Sequence, residues 1–104
     1  MDHQDLLNRI KLDINTKDPL AEAYLFGSRA RGDHRSDSDW DILILVDEDT
    51  VTMDIENKFR DNLFELELES GQVISIFIFP KEYWKSTLVY SPLYENVLQE
   101  GIQL

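Results

Sequence analysis

The stretch at residues 27–46, "GSRARGDHRSDSDWDILILV", decides the fold. It follows the apolar "AYLF" at 23–26 and closes on the apolar "ILILV" at 42–46. Two glycines and three arginines come first, then carboxylates at alternate positions where a buried strand begins. Side chains repeat with period two along a strand, so Asp39 and Asp41 share one face while Trp40 and Ile42 point the opposite way, into a core. Carboxylates this close repel each other and lose hydration on burial. A divalent cation removes both penalties, and Mg2+ prefers carboxylate oxygens. The plain alternative is an exposed strand end at which both acids meet water.

Gly27 and Ser28 follow a strand and open a turn. Gly27 has no Cβ, so backbone there can approach a ligand closely. A helix starting there offers unpaired N–H groups to an anion, and the Ser28 hydroxyl can donate to a phosphate oxygen. The alternative is a tight strand-to-helix turn and nothing more. Two other ion or phosphate motifs are excluded. Asp37, Asp39, Asp41 and Glu48 fall at positions 1, 3, 5 and 12 of a calcium-hand loop, but its sixth position needs glycine and here holds Ile42. No Gly-Lys-Ser/Thr follows the glycines, so there is no P-loop.

Outward from this stretch, residues 2–14 place Leu6, Leu7, Ile10 and Ile14 at helical spacing, and "TKDP" at 16–19 breaks that helix. "AEAYLF" at 21–26 reads as a strand, 28–32 as a helical turn and 38–46 as a second strand. Residues 51–69 suit an amphipathic helix through Val51, Ile55, Phe59, Leu63 and Leu66, although "FELELES" alternates strictly and competes as a strand over 64–69. "VISIFIF" at 73–79 is apolar on both faces and reads as a central strand, ended by Pro80. "KEYWKSTL" and "PLYENVLQE" read as two short helices, with Pro92 opening the second. Leu93, Tyr94, Val97 and Leu98 then form one face packed on the sheet. Trp84, Tyr83, Tyr90 and Tyr94 read as core or interface, and His3 and His34 as solvated. Alternating strands and helices make an α/β class: a small mixed β-sheet with helices packed on it.

The chain has 104 residues, which is one small domain over 1–104 with room for a real core. Its net charge of −11 argues against nucleic acid and favours a basic protein or a metal-bound nucleotide. Without cysteine there is no disulfide, thiolate metal site or thiol catalysis. No apolar run is long enough to span a membrane and "MDHQDLL" lacks a signal-peptide pattern, so a cytoplasmic protein is expected.

The combination carries more than its parts. A phosphate-sized turn ends one strand and an acid pair begins the next, with ten residues between Ser28 and Asp39. Adjacent strands bring both to one end of the sheet, an arrangement for phosphoryl or nucleotidyl transfer. "GSRARGDHRSDSDWDI" resembles the signature of the minimal nucleotidyltransferases, the small branch of the DNA-polymerase-β-like superfamily. The match spans about residues 22–46 with full spacing.

The resemblance implies a polymerase-β-like palm fold and roles at matching positions. Gly27 and Ser28 hold the triphosphate, with Arg29, Arg31 and Ser36 as helpers at the nucleotide, and Asp39 with Asp41 bind Mg2+. For Arg31 a surface or folding role is the alternative. Gly32 ends the short helix, and Asp37 shapes the loop. Many superfamily members add a third carboxylate on a later strand, as metal ligand and base. Here that strand is "VISIFIF", and Ser75 stands at the position, a poor Mg2+ ligand that accepts no proton at neutral pH. Three explanations stand: Glu67 or Glu69 swings in, two acids or a partner's base suffice, or the protein binds nucleotide without transferring it.

The resemblance further implies Mg2+-dependent transfer of NMP, AMP from ATP, onto a hydroxyl of a protein partner, as in antitoxins paired with an all-helical HEPN-type toxin. A non-catalytic module that neutralises such a partner by contact is the second reading. Small-molecule modification, which needs a larger substrate domain, ranks last.

Overall fold

The computed structural model describes residues 2–104. Helix α1 (His3–Lys17) opens where the Asp2 side chain accepts from the Asp5 N–H at 2.8 Å, which satisfies one orphan donor of the first turn. It buries Leu6, Ile10 and Ile14 along one stripe. Strand β1 (Glu22–Phe26) leads through Gly27 into α2 (Ser28–Arg31), one turn of helix, and β2 spans Trp40–Val46. Helix α3 (Met53–Ser70) is capped by Thr52 Oγ1 and stopped by Gly71 at φ +72°. Strand β3 (Ile74–Pro80), α4 (Lys81–Ser86), a 3-10 turn at Leu88–Tyr90, α5 (Pro92–Glu100) and β4 (Ile102–Gln103) follow.

The sheet has four strands in the order β3-β2-β1-β4. β1 pairs antiparallel with β2 and β4, and β2 pairs parallel with β3 through the α3 crossover. The mixed α/β sheet expected from the sequence is therefore present. α1 and α3 cover one face, where Ile42, Ile44 and Val46 of β2 meet Ile10, Phe59 and Leu63, all at 3% exposure or less. Each such aliphatic side chain contributes about 1.5–3 kcal/mol by leaving water. The other face carries a smaller cluster of Phe26, Leu43, Leu45, Trp84 and Val97 beneath α4 and α5.

Several expectations are corrected. Residues 64–69 are helix, not strand: Phe59, Leu63 and Leu66 bury at helical spacing, whereas Phe64 and Leu68 face solvent. β3 is an edge strand rather than a central one, because it pairs only with β2, and Phe77 stays exposed. The fully buried run is "ILILV" of β2 instead. β2 itself starts at Trp40, two residues after the expected 38. Leu98 is exposed although Val97 beside it is buried, so only part of the expected α5 face packs. The two-residue β4 has no sequence signal and exists because Ile102 and Gln103 find the free edge of β1.

Candidate active site

The antiparallel register sets Phe26 opposite Asp41, so the turn after β1 and the start of β2 meet at one end of the sheet. Gly27 sits at φ +77° and ψ −161°, a region open essentially to glycine alone. A Cβ there would overlap Asp41 Oδ2 and come within 3.1 Å of its Cγ. Glycine is thus required twice, for its backbone angles and for the carboxylate that fills the vacant space. α2 follows as a single turn, its Ala30 and Arg31 N–H groups donating to the Gly27 carbonyl at 3.1 Å, and Gly32 ends it at φ +86°.

Asp39 and Asp41 stand on the sheet face carrying Leu43 and Leu45, opposite Trp40 and Ile42. Asp39 is exposed and Asp41 half-buried. Burial pushes the Asp41 carboxyl above its ordinary range; the charges of Asp39 and Glu100 push it further, and Arg31 pulls it back. Ser75 lies in register with Asp41, and its Oγ donates to Asp39 Oδ2 at 3.1 Å. The serine therefore stands beside the acid pair, at the position expected for it. Glu67 and Glu69 do not approach it. Glu67 accepts from the Ile74 N–H at 2.9 Å and Glu69 pairs with Arg9 of α1.

The two arginines of α2 diverge. Arg29 is buried at 6% exposure, the only buried charged side chain among the described residues. Its Nη2 donates to the Ser36 and Ser38 carbonyls at 3.2 and 3.0 Å and to Gln72 Oε1 at 2.9 Å. Its guanidinium also lies 4.7 Å above the Trp40 ring, a cation–π contact. Arg29 thus grips the loop between α2 and β2 rather than facing the acid pair. Ser36 joins this network through its carbonyl, and its side chain faces solvent. Arg31 lies on the outside, pairing with Asp33 at 3.2 Å and with Glu100 at 2.9 Å. His3 is exposed, as expected, and His34 only partly so, yet their rings pack 5.2 Å apart, and His3 meets Arg29 Nη1 at 3.1 Å and Trp40 edge-on.

Glu100, from the far end of the chain, had no local motif to announce it. The signal lay in topology, since β4 returns α5 to the flank of β1.

The acid pair suits magnesium. Among the described residues no three His, Cys, Asp or Glu side chains cluster into an ion cage. Mg2+ typically needs only one or two carboxylates, completing its octahedron with water and phosphate oxygens. Burial first, and the charges of Asp39 and Glu100 second, disfavour the ionised Asp41 carboxylate, and a bound cation would favour it.

A family model described as a nucleotidyltransferase domain matches residues 7–102. A Methanocaldococcus jannaschii protein provisionally named protein adenylyltransferase MJ0604 is 38% identical over 83 residues, covering 79% of this chain and 75% of that one. Protein adenylyltransferase MntA of Aphanizomenon flos-aquae is 42% identical over 52 residues, 49% of this chain. The alignment spans only 35% of MntA, and 46% of a second M. jannaschii relative, so this chain spans less than half of those proteins. A solved structure provisionally described as a minimal nucleotidyltransferase superposes with TM-score 0.62 at 27% identity, covering 100% of this chain and 97% of the other. A toxin–antitoxin crystal structure with AMP-PNP shares the fold at TM-score 0.65 and 23% identity, over 92% of this chain and 69% of its own.

Proposed function

The chain belongs to the nucleotidyltransferase domain family, and on that premise we propose that it moves AMP from ATP onto a hydroxyl of a partner protein, with Mg2+ at Asp39 and Asp41. One observation carries the reading: Asp41 Oδ2 fills the space of the Cβ that Gly27 lacks. A triphosphate at the turn and a cation at the acid pair would then be immediate neighbours. The relatives named protein adenylyltransferases supply the reaction class, and the toxin–antitoxin neighbour supplies the kind of partner. A HEPN-type helical toxin is the partner we assign.

In this reading the bare backbone at Gly27 admits the phosphates, and the Ser28 hydroxyl donates to a phosphate oxygen. Arg31, half-exposed on α2, takes further phosphate charge. Arg29 and Ser36 serve the nucleotide by fixing the loop that carries Asp39. Bound magnesium supplies the positive charge that lets the triphosphate rest against carboxylates.

The test uses ATP labelled on its α-phosphate, Mg2+ and the partner. The wild-type chain should label the partner, and Asp39→Asn or Asp41→Asn should cut labelling by about 100-fold or more. Labelling that survives both substitutions overturns the site assignment. Ser75 beside the acid pair favours a second reading, a contact-only module. That reading predicts a silenced but unlabelled partner, and silencing that survives both substitutions.

A further inference from the structure

Arg31, the cation assigned above to phosphate charge, is already engaged. Its Nη1 donates to Glu100 Oε2 at 2.9 Å, and only 15% of the Glu100 side chain is exposed. Arg31 itself is 47% exposed, but Glu100 is far more sheltered than its other partner, Asp33, whose side chain is 62% exposed. Glu100 is also held in place by backbone. It is the last residue of α5, and the Gly101 N–H donates to the Val97 carbonyl at 2.8 Å. A Cβ on Gly101 would overlap that carbonyl, so the chain can turn this tightly only at glycine. β4 then pairs Ile102 with Leu25. β4 thus returns Glu100 to the end of the sheet that holds the turn after β1, where Arg31 of α2 meets it.

We propose that Glu100 is a specificity-determining residue, a resident counter-anion on Arg31 that makes the site select magnesium-loaded nucleotide over free nucleotide and other anions. The inference rests on the nucleotide site assigned above. With Glu100 in place, a fixed carboxylate offsets the Arg31 charge in addition to the exposed Asp33, and an arriving anion also meets Asp39 and Asp41 at the same end of the sheet. Free ATP must displace Glu100 unaided. A magnesium-loaded triphosphate brings positive charge for Asp39 and Asp41 and so tolerates Glu100 nearby. An ion pair with one sheltered partner thereby acts as a filter on the charge state of the ligand.

The test is a titration of the full chain with ATP, with Mg2+ and with EDTA, on wild type, Glu100→Gln and Arg31→Gln. Wild type should bind MgATP and bind free ATP at least about tenfold more weakly. Glu100→Gln should bind free ATP about three- to tenfold tighter than wild type while its MgATP affinity moves less than about twofold, so that the magnesium dependence collapses. Arg31→Gln should weaken binding of both forms. Opposite signs from the two halves of one ion pair are the signature, since a bridge that only stabilises the fold would shift both variants alike. Equal signs, or an unchanged magnesium dependence in Glu100→Gln, overturn the proposal. Should Glu100→Gln fail to fold, Glu100→Asp, one methylene too short to keep the contact, must loosen the selectivity for MgATP or the proposal falls. Wild type that binds neither form refutes the nucleotide site itself, a different result from wild type that binds MgATP with Glu100 having no influence.

Discussion

Asp41 is the residue at which the site sets function against stability. It stands half-buried beside Asp39 with Glu100 near, and its carboxyl is raised, by burial first and by those charges second. A carboxyl raised in the fold above its ordinary value of 3.8 binds its proton more tightly folded than unfolded. Its contribution to stability is therefore complete below the unfolded value and is lost as pH rises through the folded one. At neutral pH the ionised Asp41 works against the fold. Asp41→Asn, which keeps the shape and removes the charge, should abolish transfer yet unfold at higher urea than wild type at pH 7. Comparing urea midpoints from pH 4 to 7, the advantage of the variant should grow with pH and then level off. A variant less stable than wild type at pH 7 would mean that the ionised carboxylate makes a compensating bond. Arg31 offsets part of that cost, and the turn runs so close that a Cβ at Gly27 would overlap Asp41 Oδ2.

The loop between α2 and β2 is the element that delivers Asp39, and Arg29 is its clasp. One buried guanidinium gathers two loop carbonyls, Gln72 before β3 and the Trp40 ring. Removing it takes the donor from the Ser36 and Ser38 carbonyls, at about 1–3 kcal/mol where the acceptor is sheltered, while Gln72 Oε1 keeps the Trp40 indole N–H at 3.3 Å. Arg29→Met should lower stability by about 2–4 kcal/mol, and amides of residues 33–39 should exchange faster than those of β2. Arg29→Lys should rescue little, because an ammonium cannot span this forked set of acceptors. Uniform exchange across the loop and β2 would refute the clasp. The same element shows what sequence can and cannot reveal. Period two placed Asp39 and Asp41 on one face and Trp40 and Ile42 in the core, and local chain geometry alone required it. Which arginine turns inward was not legible, since "SRARG" offers both and the choice depends on Gln72, which lies 43 residues on. Residues 64–69 satisfied two periods at once, and only the core beneath α1 selected helix. The edge position of β3 and the arrival of Glu100 likewise belong to strand order, which no local pattern encodes.

At the scale of the whole molecule, the sheet has one sealed face and one half-sealed face, and the site lies on the latter. α1 and α3 close the first with the larger core. α4 and α5 cover only part of the second, leaving Phe77 open on the same face as Ser75 and Asp41. No helix among the described residues is long and apolar enough to cross a membrane. Around this frame the chain carries a net charge of −11. Such a field repels polyanions and draws cations from beyond contact distance, with a reach of about 10 Å at 0.1 M salt. A protein acceptor brought to the site should therefore present a basic surface, and its arrival should be steered. Association of chain and partner, followed by stopped-flow fluorescence, should slow by about tenfold or more between about 10 and 150 mM NaCl. Dissociation should change far less, because short-range contacts hold the formed complex. Duplex DNA and RNA should give no shifted band at about 150 mM salt. An association rate indifferent to salt would count against steering and point to docking through the uncovered apolar side chains, Phe77, Tyr83 and Leu98. The two outcomes separate by mutation as well. Substituting those three side chains would then slow association at every salt concentration, whereas a steered encounter would lose only its lifetime.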